Sequence, residues 1–508
     1  MRSHRAKLGV IGVSAARKES AINTPMDLDL SVLCALGDII TLERKRETNE
    51  NELTGMEEAD YIYDNGSTSM VSLNFEKLQP QHAAFALAYG LGSISSAAAG
   101  TGYTHTITPI DGDLDAQRSL PSFTAVQRYG ETIMKRRFAS MFADNVNLIF
   151  AKDDWAKGKM DAKGTGKYDS SIVEESITAL DNVTELTLAA NAVAGSSALG
   201  RLDAVHAIRA NYGGGWVDVA FSAVSSAAPA VITITSVGGA GASITYKMLY
   251  APAETVTETV TANDDVTELT LAANSVDGQS AAARLANVKS IEVELTTDVW
   301  TAVAYSAVSS AAPAVITITA PGSGSTPVDY RITYHTGDTA WKTMPDRVQE
   351  SPLRVSQVNV SIGGTWTGSA FVGGKDISYD VNSIEYSLAN AMQIEFTPGA
   401  DGAYANRAFR DQRTQTLSLD KQFRSYLLQN YLEQNETFGV HILAEGAVFS
   451  SPHKFTVELI FPKCGLLKSP IKVDGKRLGE TGDLRVLEDS TYGSVIAVVK
   501  NEQAAYAA

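Results

Sequence analysis

The chain carries one long cassette twice. VTELTLAAN begins at Val183 and returns at Val266, and FSAVSSAAPAVITIT at Phe221 returns as YSAVSSAAPAVITIT at Tyr305. The spacing is 83 residues for the first pair and 84 for the second, so one residue was gained between them. Trp216 and Trp300, Tyr246 and Tyr330, and Tyr250 and Tyr334 also match at 84. Copies this alike are a recent duplication of one folded unit, read here as 175–257 and 258–338. The duplication interrupts the chain, leaving flanks at 1–174 and 339–508 that each look incomplete.

Each cassette is rich in Val, Thr, Ile, Ala and Ser, with short alternating runs broken by Gly, Asn and Pro. That pattern predicts an all-β unit of sandwich, immunoglobulin-like type. A short helix at SSALGRLDAV and its counterpart SAAARLANV stays open beside that all-β reading. With few large aromatics, each core is expected to consist of small side chains and to be modest in stability.

A length of 508 residues corresponds to about three domains. The formal charge of −16 argues against a protein that grips nucleic acid through its phosphates. Residues 175–338 hold 6 Lys/Arg and 16 Asp/Glu, a net of −10, which leaves −6 for the flanks. Cys34 and Cys464 stand far apart and give neither a disulfide framework nor a thiolate metal site. They read as reduced small apolar residues. The basic N-terminus lacks the apolar core and cleavage site of a signal peptide, and no stretch is long enough to span a bilayer. A soluble protein made in a reducing cytoplasm is the simplest expectation.

In the first flank, residues 1–40 lack strong periodicity and read as an extended arm with short strand or turn pieces. Residues 43–69, hardly apolar before Tyr61, read as a long polar loop, either solvated or ordered only against a neighbouring copy. Val71, Leu73 and Phe75 alternate as a half-buried strand. QPQHAAFALAYGLG then predicts a helix, with Pro80 in its first turn and Gly90 and Gly92 ending it. Residues 101–109 and the Val146, Leu148, Phe150 alternation predict further strands. Residues 153–171, rich in Lys, Gly and Asp, read as a linker.

In the second flank, Val358, Val360 and Ile362 share a strand face, and SIEYSLANAMQIEFTPG adds two strands. A strand over 413–419 is expected to end at Asp420 as the N-cap of a helix displaying Phe423, Tyr426, Leu427 and Tyr431. FGVHILA and KFTVELIF predict strands, the second stopped by Pro462, and two more strands close the chain. Together the flanks predict one mainly β domain with one or two short helices.

No chemistry-bearing motif survives inspection. KGTGKYDS lacks the Gly a phosphate loop needs at Asp161 and the Ser or Thr it needs at Tyr168. GGAGAS at Gly238 leads towards a strand and reads as a turn. The histidines show no metal-ligand spacing. His82 reads as partly exposed and His441 as a surface or interface residue. No Gly-x-Ser-x-Gly elbow is present. No catalytic, cofactor-binding or metal-ligating residue is therefore assigned, and a non-enzymatic role is expected.

The flanks resemble the major tail tube protein of long-tailed, siphovirus-like bacteriophages. The likeness rests on the arm, the long polar loop, the Ala-rich helix ending in AYGLG, and LPSFTAVQRYG. On the far side it rests on RTQTLSLDKQFRSYLLQNYLEQNETFGVHI, HKFTVELIFPKC and VDGKRLGETGDLRVLEDSTYGSVIAVV. The resemblance implies two β-sheets packed around a helix, in subunits that close into hexameric rings by extending their sheets. Rings stack into a tube through which genome DNA passes, contacting tape measure, tail tip and tail terminator proteins. It also implies location in the virion tail, with the repeats outside the tube, where contact with a host surface is open to them. Blocks of charge at Arg44-Lys45-Arg46 and at Glu57, Glu58 and Asp60 suit a salt-sensitive contact between copies, and the channel wall is expected to be neutral or acidic.

Other readings stand beside this one: a sandwich-repeat adhesin or carbohydrate-binding surface protein, or another virion component such as a head decoration or baseplate protein. A non-contractile tail is favoured over a contractile one, because external repeats would obstruct a sheath.

Overall fold

The computed structural model describes residues 9–507 except 54–55, 111–119, 130–133, 190–191, 196, 228, 273, 279, 297, 337–339 and 399–403. The fold is mainly antiparallel β, with short helices at Pro80–Leu91, Ala198–Asp203, Ala281–Asn287 and Leu427–Gln434. The chain divides into two compact units. One comprises Val10–Gln127, Arg137–Asp169 and Pro345–Ala508, and the other comprises Met1–Gly9, Arg128–Arg136 and Ser170–Met344.

The flank-built unit is organised on helix Pro80–Leu91, every residue of which is buried. An Ala-rich helix that is apolar all round belongs in an interior, and its small side chains let strands approach closely. A Cβ on Gly90 would come within 2.9 Å of Val146 and 3.0 Å of Leu388. Gly92, at φ 96°, supplies the left-handed C-cap, its N–H bonding the Ala88 carbonyl. At the other end Gln81 N–H donates to buried Glu350 (2.7 Å), which lies where the helix dipole favours negative charge. The core around this helix draws on both flanks, from Val13, Leu30 and Phe85 to Leu459, Val499 and Tyr506.

Several expectations need correction. From residue 10 the presumed arm is core structure: Val10–Val13 pairs with Leu30–Val32, and Val13, Ala15 and Leu30 are buried. Strands this short leave no period to read. The presumed linker contains strand Lys157–Gly164, paired on both sides, by Ile62–Phe75 and by Met134–Ala151. Its inward positions are Gly158, Met160, Ala162 and Gly164. A Cβ on Gly158 would meet Leu78 at 2.9 Å and one on Gly164 would meet Met141 at 2.4 Å, so close packing demands the glycines that disguised the strand.

Asp420 caps no helix. Strand Thr414–Gln422 runs through it, and its carboxylate accepts from Asn382 (3.0 Å) and pairs with Lys472. Helix Leu427–Gln434 begins later and buries Leu428. Strand His453–Lys468 likewise continues through Pro462, which falls beside the register shift between Phe438 and Val440. An interrupted ladder asks no N–H of that position.

Each repeat is a pair of small sheets over one core. In the first, Val173–Leu180, Ser243–Tyr250, Val205–Tyr212 and Gly215–Asp218 form a four-stranded sheet, and Glu185–Thr187, Val231–Ile234 and Phe221–Val224 a three-stranded one. The second repeats this with Val256–Asn263, Pro327–Tyr334, Val288–Thr296 and Val299–Ala302, and with Glu268–Thr270, Val315–Ile318 and Tyr305–Val308. Their cores are not made of small side chains alone. Tyr246, Tyr250, Tyr330 and Tyr334 are fully buried. Their hydroxyls donate to the carbonyls of Leu180 and Asn263 and to the carboxylates of Glu175 and Glu258, so each tyrosine buries a large ring without an orphan polar group.

Burial pushes the Glu350 carboxyl up to about 7, against the backbone N–H groups of Glu502 and Gln81. The native chain therefore holds this proton when the unfolded chain has lost it, so the group's contribution to stability falls as pH rises from about 4.5 to about 7. Glu350→Gln should gain on the natural chain by about 3 kcal/mol in unfolding free energy across that window. Denaturant unfolding at several pH values checks this, and a pH-independent difference would contradict it.

Candidate self-assembly surface

Strand pairing in the flank-built unit leaves open edges. Seven strands run in the order Gly92–Ala99, Gly102–Pro109, Ile496–Asn501, His453–Lys468, Thr437–Ser450, Val358–Trp366 and Phe371–Asp376, every neighbour antiparallel. His453–Lys468 also pairs through its far half with Arg477–Val486. From there a second series passes through Thr414–Gln422, Val381–Ala389, Met134–Ala151, Lys157–Gly164 and Ile62–Phe75 to Thr41–Thr48.

Among the described residues, Gly92–Ala99 pairs on one side only. Its sequence, GSISSAAA, contains no charge and no proline, and Ser93, Ser95, Ala97 and Ala98 are exposed. Solitary soluble domains usually blunt an edge with Lys, Pro or a bulge. At the opposite end Phe371–Asp376 is also paired once, but it carries the charges of Lys375 and Asp376, and Gly373 and Gly374 take φ of 73° and 88°. The two edges differ, so joining one to the other would be head-to-tail, a contact that closes as a ring or propagates as a filament.

The presumed loop 43–69 is largely a β-hairpin. Thr41–Thr48 pairs with Ile62–Phe75 from Thr41↔Met70 to Thr48↔Ile62. Seven of the eight residues of Thr41–Thr48 are exposed, all but Leu42. The polar residues that resembled loop sequence tie the ribbon together. Arg44 pairs with Asp64 at 2.7 Å and donates to the Tyr168 hydroxyl. Asn49 donates to Asp60 and accepts from the backbone N–H groups of Asp60 and Tyr61, and Tyr63 donates to Glu52. Leu53, Met56, Tyr61 and Ile62 nevertheless face solvent. An isolated two-stranded ribbon is marginal in water, and clustered exposed apolar groups mark an interaction site.

Outward lysines on strand Lys157–Gly164 do not form an uncompensated basic stripe. Lys157 pairs with Asp154 (2.7 Å), Lys159 with Asp161 (3.1 Å) and Lys163 with Asp144 (3.0 Å).

The histidines lie where strands and helix dictate. His82 is not exposed: it is fully buried, stacked on Phe75 at 4.9 Å, and its Nε2 accepts from Leu33 N–H. Burial depresses its pKa to about 3, so the ring is neutral. The first-turn position that read as exposed is covered because the helix is enclosed on every side. His441 sits opposite the Val440/Ile442 face, 2.8 Å from Glu458 and stacked on Phe371. Among the described residues no cluster of three His, Cys, Asp or Glu could hold a metal ion, and no helix is long and apolar enough to cross a membrane. No protein-family model matches the chain, and no curated protein matches it.

A lysine on the open edge should block addition of a further strand without disturbing the interior. Ser95→Lys is expected to keep the natural circular dichroism spectrum and stability, since exposed substitutions usually change unfolding by less than about 0.5 kcal/mol. Its self-association in sedimentation velocity should fall sharply. Unchanged association would contradict the role given to this edge.

Proposed function

We propose that the chain is the major tail tube protein of a long-tailed bacteriophage, a structural subunit forming stacked hexameric rings around a channel for genome DNA. The observation that carries this reading is the uncharged, once-paired edge Gly92–Ala99, standing in one unit with an exposed hairpin that displays both charge and apolar groups. Both features are costly to a solitary protein and useful to one completed by its own copies. The enclosed Ala-rich helix between strands of both flanks agrees with the sequence resemblance.

In this reading the edges close the ring and the hairpin reaches an adjacent copy. The repeats lie outside the tube, where they are free to meet a host surface, and the tape measure, tail tip and tail terminator proteins are the other partners. DNA is a transient passenger. A wall that neutralised phosphates would release counterions and hold the duplex, so in this reading the channel wall is neutral or acidic. The subunit acts by shape and assembly, with no catalytic step.

Removal of residues 46–58 shortens the hairpin while sparing the strand segment that enters the core. The shortened chain should remain folded and fail to form tubes that the full chain forms, as seen by electron microscopy of negatively stained protein. Normal tubes from the shortened chain would contradict the role of the hairpin, and discrete particles from the full chain would overturn the tube reading itself.

A further inference from the structure

Two hairpins of the flank-built unit present apolar side chains to solvent, and they carry opposite charge. The first is the ribbon Thr41–Thr48/Ile62–Phe75. Its connecting segment 49–60, NENELTGMEEAD, holds five carboxylates and no cation. Glu52 and Asp60 are engaged within the ribbon, by the Tyr63 hydroxyl and the Asn49 amide. Glu50, Glu57 and Glu58 are exposed and have no partner among the described residues. Leu53, Met56, Tyr61 and Ile62 are exposed beside them.

The second hairpin joins strand Ile471–Asp474 to the start of Arg477–Val486, with Gly475 at φ 61° in the two-residue turn. Val473 stands opposite Leu478, and Ile471 follows two residues along on the same face. All three are exposed, Val473 at 76%. An apolar cross-strand group that meets only water marks a contact surface. The stretch IKVDGKRLG holds Lys472, Lys476 and Arg477 against Asp474, a net of +2. Lys472 is engaged by Asp420. Lys476 and Arg477 are exposed and have no partner among the described residues.

We infer that hairpin 471–478 is a docking surface, and that its occupant is the acidic end of the 41–75 ribbon of a second copy of the chain. This rests on the tube reading, in which that ribbon reaches an adjacent copy, and it names where the ribbon lands. Charge selects the pairing. Two acidic ends repel each other, as do two basic hairpins, whereas the unlike pair attracts and is held in one orientation. Apolar groups on both sides supply the burial that charges alone do not. Both surfaces stand exposed on one chain, so a chain does not occupy its own site, and the contact is head-to-tail and propagates from copy to copy. Two cations beside three exposed apolar side chains make a poor grip on a phosphate backbone, and the chain's net charge of −16 opposes one further. The contact is small and gains strength by repetition along an assembly.

Charge reversal in the full chain tests this by sedimentation velocity and electron microscopy, with circular dichroism confirming that each variant is folded. Glu57→Lys with Glu58→Lys, and separately Lys476→Glu with Arg477→Glu, should each weaken self-association at least about tenfold, because each sets like charges face to face. All four substitutions in one chain should restore it. An equal mixture of the two variants should restore it as well, since each then offers the other a complementary surface. Tubes formed equally well by every variant, or weak association that neither the combined chain nor the mixture repairs, overturn this contact and leave the tube reading intact. Loss and restoration in this pattern from a natural chain that forms only discrete particles keep the contact and overturn the tube reading. A natural chain that stays monomeric at every concentration overturns both.

Discussion

Enclosure of helix Pro80–Leu91 is the constraint on which the flank-built unit depends. A twelve-residue helix buried at every position can be satisfied only by strands on all sides, and neither flank supplies enough of them. Residues from Val13 to Ala162 and from Leu353 to Ala507 therefore share one core. The helix ends are satisfied by distant groups, with Glu350 at the first turn and Gly92 at the last. Once the helix is covered, the strands covering it extend into a long antiparallel series whose end strands, among the described residues, pair on one side only.

Those unpaired ends connect fold to function. A sheet of many strands either closes on itself or exposes edges, and exposed edges are tolerated when blunted or when another chain completes them. Gly92–Ala99 is not blunted. The hairpin Thr41–Thr48/Ile62–Phe75 adds a second unfinished surface, tied together by the hydrogen bonds of Arg44, Asn49 and Tyr63.

Much of the architecture was legible in the sequence where residue chemistry and period agreed. The helix announced itself through Pro80, its alanines and Gly92, and the strand through Val71, Leu73 and Phe75 was plain from alternation. The duplicated stretch carries two matching pairs of sheets, and the helices Ala198–Asp203 and Ala281–Asn287 fall where the sequence left a short helix open beside an all-β reading. Misreadings arose where tertiary packing used residues against their local preference. Gly158 and Gly164 lie in a central strand because larger side chains would collide with Leu78 and Met141. Pro462 sits at a ladder interruption, and Asp420 belongs to a strand because Asn382 and Lys472 reach it. The charged run 43–48 read as loop since a ribbon exposed on both faces carries no hydrophobic alternation. No part of the candidate surface had a motif to find. Its signal was the lack of any charge in GSISSAAA, which acquires meaning only once strand order shows that segment to be an edge.

Hydrogen–deuterium exchange across residues 92–99 tests the central claim most directly. In dilute, unassembled chain the outward amides of this strand should exchange fast, while Gly102–Pro109, paired on both sides, is protected. On assembly the account predicts strong slowing confined to the edge strand as a neighbouring copy completes its ladder. Equal exchange in the two states, or a chain that stays monomeric at every concentration, would contradict it.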